Sequence, residues 1–143
     1  MERTHKLIAY LKAIYDYAKE IHYTCHGGDF YSKHIFADLI SDPIYEQIDK
    51  VKEICLLGHL PEGERPLDEA EYSAMSKALM PEINKNNDAQ NFKNIQSLII
   101  DALNHIEKMN GCYKGEDNVI GAIAEHLQQM NGLLNLQNFK GEK

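Results

Sequence analysis

His22, His34, Asp38, Asp49 and Glu53 follow the order H-x11-H-x3-D-x10-D-x3-E, two imidazoles and three carboxylates in one stretch of chain. This ligand set suits iron, manganese or zinc held with open coordination positions, and iron held that way can carry out oxidation. At roughly 100° per residue, the four positions from His34 to Glu53 fall within about a 100° arc of a helix, because 38 to 49 is almost three whole turns. One helix face would then carry all four. A solvated polar stripe has the same spacing, and an isolated His22 near an apolar face also fits a satisfied core or boundary histidine.

Distance adds a constraint that angle does not. His34 with Asp38, and Asp49 with Glu53, are each an i, i+4 pair able to grip one ion, yet their centres are about 15 residues, or roughly 22 Å, apart along a helix. One subunit does not join them. Two copies of this helix packed antiparallel about a two-fold axis near residues 43 and 44 would join them, and an isologous contact repeats itself to give two equivalent sites. His22 reaches the His34/Asp38 level if the chain folds back between the two histidines. The segment HYTCHGGDF, residues 22–30, has the glycine pair for that reversal.

The elements that would position these residues read from hydrophobic periodicity. Leu7, Ile8, Leu11, Ile14, Tyr15, Ala18, Ile21 and His22 recur at three- and four-residue steps, predicting a helix that ends near Cys25. Asp29 would cap a second helix from about Phe30 to Leu57, with Ile35, Phe36, Leu39, Ile40, Ile44, Ile48, Val51 and Cys55 on its apolar stripe and Gly58 ending it. Pro43 lacks the amide hydrogen that bonds back to residue 39, so a kink or restart is expected there, with Asp42 as its cap. A turn-rich stretch at 58–66 leads to a short helix from Leu67 to Met80. Two further long helices follow, from about Asp88 to Asn110 and from about Glu116 to Leu136. No segment alternates as a strand. Two tight hairpins around one long connection match an all-α four-helix bundle of ferritin-like arrangement, with the short helix in the crossover between helices two and three.

The whole chain, 1–143, reads as a single domain. A net charge of −7 and the lack of a lysine-rich tail argue against DNA binding, which rests on lysine and arginine displacing condensed cations. The apolar runs fall far short of a membrane span and MERTHK has no apolar block, so a soluble, cytoplasmic protein is expected. Cys25, Cys55 and Cys112 are an odd number with no C-x-x-C pair. They support neither a disulfide framework nor a cysteine zinc site, and read as buried free thiols.

With these residues in place, the sequence resembles the miniature ferritins named for DNA-binding proteins of starved cells (Dps). All five positions, His22, His34, Asp38, Asp49 and Glu53, agree with that family's intersubunit ferroxidase ligands. Tyr23 stands where the family has tryptophan, G-x-D-F precedes His34, and DKVKEICLLG resembles D-x-x-A-E-x-x-x-x-x-G with Lys52 in place of alanine. GEDNVIGAI resembles the acidic opening of the family's last helix, although Gly121 and Ala122 follow where the acidic pore usually continues.

The resemblance implies a twelve-subunit cage with ferroxidase sites at two-fold interfaces, acidic three-fold pores, Fe(II) oxidation by hydrogen peroxide or oxygen, and storage of Fe(III) mineral as protection against oxidative damage. Zinc or manganese would fit the same ligands. Asp38 and Glu53 would be the principal ligands, His22 and His34 would complete the set, and Asp49 would act directly or through water. Two other readings remain. A di-iron oxidase within one bundle needs paired E-x-x-H motifs, whereas this chain has only Glu2 to His5. The alternative is a non-enzymatic ferritin-like oligomeric or partner-binding helical protein.

Overall fold

The computed structural model describes residues 2–59 and 66–140. Among them there is no strand. The helices are α1 (Glu2–Thr24), α2 (Phe30–Lys50), α3 (Glu69–Leu79), α4 (Asp88–Glu107) and α5 (Lys114–Gln137). The predicted stretch 58–66 lies largely outside the described residues. No helix among the described residues is long and apolar enough to cross a membrane.

The four long helices share one core. Leu7, Leu11 and Ile14 of α1 meet Ile40 and Ile44 of α2, Ile95 and Ile99 of α4, and Ile123 and Leu127 of α5 in a single buried cluster. Each such side chain contributes about 1.5–3 kcal/mol by leaving water. Helix α1 packs on α2, α3 and α4, while α5 packs on α4 and α2. The crossover thus carries α3 against the first helix. Asp68 starts α3 with a reciprocal capping box, accepting from the Glu71 N–H at 2.8 Å while the Glu71 carboxylate accepts from the Asp68 N–H at 3.2 Å. Asn87 caps α4 by accepting from the Gln90 N–H at 3.0 Å.

The second helix departs from expectation in four ways. Helix α2 runs through Pro43 without interruption, so Asp42 caps nothing. His126 of α5 donates from Nε2 to the Ile40 carbonyl at 3.1 Å, next to the Leu39 carbonyl that the proline leaves without its usual donor. Asp29 occupies the N-cap position without a side-chain cap bond; its carboxylate pairs with Lys33 at 2.9 Å instead. After Lys50 the backbone widens into a π-helical turn, Val51–Leu56, and closes with a 3₁₀ turn, Leu57–His59. Glu53 therefore sits off the straight α-helical register that links it to Asp49 on paper. Finally, Ile35 and Leu39, counted with the core stripe, are about half exposed at 47% and 50%. Of the cysteines only Cys55 is buried.

Candidate metal centre

The hairpin between α1 and α2 is set by one backbone position. Gly27 has φ +97°, the left-handed region that glycine enters without strain, whereas Gly28 has no such requirement. The turn is then tied to the start of α4. The buried Asp88 carboxylate accepts from the His26 N–H at 3.0 Å and from Lys33 Nζ at 3.0 Å, and the His26 ring stands 3.5 Å from it. Burial alone would raise the Asp88 pKa; the His26 N–H and the Lys33 ammonium outweigh it and hold the carboxyl below its ordinary range.

This reversal brings His22, His34 and Asp38 together. The His22 Nδ1–H donates to the His34 carbonyl at 3.1 Å, and the His34 Nδ1–H donates to the His22 carbonyl at 2.8 Å. The rings stack with centroids 3.5 Å apart and planes 23° from parallel. Asp38 Oδ1 lies 3.0 Å from the same Nδ1 of His22. Because each Nδ1 faces only acceptors, the proton belongs there and the lone pair lies on Nε2. Hydrogen bonds of this kind from one ring nitrogen to a carbonyl or carboxylate orient an imidazole so that its other nitrogen can meet a metal. The side chain of His22 is 12% exposed and that of Asp38 31%, so the group lies at the surface without being fully in water.

Lys19 is the residue that spacing did not single out. Its Nζ donates to Asp38 Oδ1 at 3.3 Å and also lies 5.7 Å from the centre of the Tyr15 ring. Burial disfavours the Lys19 charge, and the Asp38 carboxylate overrides it, holding the ammonium above the ordinary lysine range. The signal was present in the sequence, since Lys19 is one helical step from His22.

Asp49 and Glu53 are exposed, and among the described residues neither carboxylate has an ion-pair partner. Asp49 borders a surface hollow with Lys12, Asp16, Tyr45 and Lys52. Lys52 pairs with Glu69 rather than with either of them. The five residues singled out by spacing thus divide into a gathered trio and a separate exposed pair. Within one chain, no three His, Cys, Asp or Glu side chains among the described residues are placed to hold a metal ion. Glu116, expected from the resemblance at an acidic pore, is instead turned inward at 4% exposure beside His59. No family model, curated protein or solved structure matches this chain.

Proposed function

We propose that this protein is a ferritin-like, iron-oxidising and iron-storing protein of the miniature ferritin type, with Fe(II) as substrate. The observation that carries the reading is the reciprocal bonding of His22 and His34, which commits both Nδ1 atoms within the hairpin, leaves the two Nε2 lone pairs for a metal, and sets the Asp38 carboxylate 3.0 Å from His22 Nδ1. Asp49 and Glu53, exposed on the same helical segment, supply the missing donors when a second copy packs antiparallel along α2. Tyr31, Ile35 and Leu39, 68%, 47% and 50% exposed, give that contact an apolar surface to bury.

The chemistry follows from the donors. Carboxylates favour the harder, more highly charged Fe(III) over Fe(II), so Asp38, Asp49 and Glu53 assist loss of an electron, and the two imidazoles hold the reduced ion beforehand. With peroxide, two Fe(II) ions give two electrons to one H2O2, the O–O bond breaks, and two protons complete two waters. With oxygen, four Fe(II) ions and four protons reduce one O2 to two waters. Fe(III) then hydrolyses to an oxo-hydroxide inside a cage of such dimers. Lys19 is the resident cation on Asp38, and iron displaces it toward the Tyr15 ring.

The test is Fe(II) oxidation by peroxide under anaerobic conditions. Wild-type protein should accelerate it, and Glu53→Ala should lose the acceleration while remaining folded. A non-enzymatic helical scaffold is favoured by one observation, that Asp38 already has its counter-ion in Lys19. Light scattering bears on this second reading: twelve chains of 16.4 kDa form a particle of about 200 kDa, and a scaffold dimer is far smaller.

A further inference from the structure

Cys55 and His59 stand four residues apart after α2, and Cys112 and Glu116 stand four residues apart across the start of α5. The fold brings both pairs to one cavity of about 160 Å³, which Arg3 and Met109 also line. Glu116 is 4% exposed, and its Oε1 has no hydrogen-bond partner among the described residues. Its close polar neighbour is His59 Nδ1 at 2.5 Å, outside hydrogen-bond geometry. A buried carboxylate oxygen left this way is costly unless a cation meets it, and a neutral His59 is not one. The His59 ring stacks on Tyr113 with centroids 4.1 Å apart, which fixes its plane beside the cavity.

We propose that this cavity binds one zinc-class divalent cation through Cys55, His59, Cys112 and Glu116. Two sulfurs, one imidazole nitrogen and one carboxylate oxygen make a four-donor set of the kind zinc takes in tetrahedral geometry, and thiolates disfavour calcium and magnesium. Each thiol gives up its proton as its sulfur binds. Two thiolates and one carboxylate around a divalent ion leave one negative charge, which the Arg3 guanidinium lining the same cavity offsets. The donors are not already gathered at metal-holding distance; the ion draws them in by side-chain rotation across the small space they share. This site is separate from His22 and His34 and does not rest on the iron reading.

The experiment uses the full chain stripped by chelator and titrated with Co(II), a visible stand-in for zinc. One Co(II) per chain should bind with thiolate charge-transfer and tetrahedral ligand-field bands, and one equivalent of Zn(II) should bleach them. Cys112→Ser, at a partly exposed position outside the helices, should weaken binding by about tenfold or more, and Cys55→Ser should do the same if it folds. Cys25→Ser should leave the spectrum unchanged. Absence of a thiolate band in wild type, an undiminished band in Cys112→Ser, or a band lost in Cys25→Ser would each overturn the assignment.

Discussion

His22 and His34 each donate from Nδ1 to the other's main-chain carbonyl, at 3.1 and 2.8 Å, so the residues that end α1 and begin α2 hold one another's rings in place. The two imidazoles need no metal to be oriented. The hairpin therefore does more than reverse the chain, because its register decides whether those bonds form at all.

That register depends on Gly27. Gly27→Ala places a Cβ on a residue at φ +97° and should cost about 1–2 kcal/mol in urea unfolding. Gly28→Ala meets nothing within 4 Å and needs no special backbone angle, so it should be neutral or stabilising by up to about 1 kcal/mol. Equal effects of the two substitutions would contradict this assignment.

Asp88 ties the same turn to α4, and its carboxyl is held below the ordinary range despite burial. A depressed acid contributes stability above its unfolded pKa and loses it as pH falls through its folded one, so this contribution should fade below about pH 4. Asp88→Asn should cost about 1–3 kcal/mol at neutral pH and flatten the acid side of the stability profile. Unfolding midpoints measured across pH 2–7 for both proteins check it.

Lys19 competes with metal for Asp38. Removing the ammonium in Lys19→Met should lower the Fe(II) concentration for half-maximal oxidation by about two- to fivefold, the scale of a partly exposed ion pair. Titration of initial rates against Fe(II) measures the shift, and an increase would make Lys19 a helper of binding instead of its competitor.

Thiol chemistry should separate the cysteines. Burial, then Glu116 and Cys112, push the Cys55 thiol up to about 12, leaving about one thiolate in ten thousand at pH 8. Mass spectrometry after iodoacetamide treatment of the metal-stripped protein should find Cys25 and Cys112 alkylated well before Cys55.

Periodicity revealed the bundle because each long helix presents one apolar stripe to a common core, and the glycine pair 27–28 was legible as the reversal, whereas which of the two takes the positive φ was not. Ile35 and Leu39 looked like core for the same reason, since a stripe does not tell a protein's own interior from an outer face. The π-helical turn at Val51–Leu56 and the unbroken helix through Pro43 depend on tertiary packing, including the His126 bond to Ile40, which lies 86 residues away in sequence. Asp88 was not singled out because its partners Lys33 and His26 are 55 and 62 residues distant. Of the candidate site, the His22, His34 and Asp38 half was readable from helix geometry and a turn. Asp49 and Glu53 remain apart, as the roughly 22 Å helical spacing requires.

The central claim, that two half-sites on different chains make one oxidation centre, is tested most directly by subunit complementation. His34→Ala and Glu53→Ala proteins, each inactive alone, are unfolded together, refolded as a one-to-one mixture and assayed for Fe(II) oxidation by peroxide. In a two-fold dimer half of the random pairs are mixed and each mixed pair holds one intact centre, so activity should return to about one quarter of wild type. A mixture as inactive as its components, with mixed pairs confirmed by native mass spectrometry, would contradict the shared site.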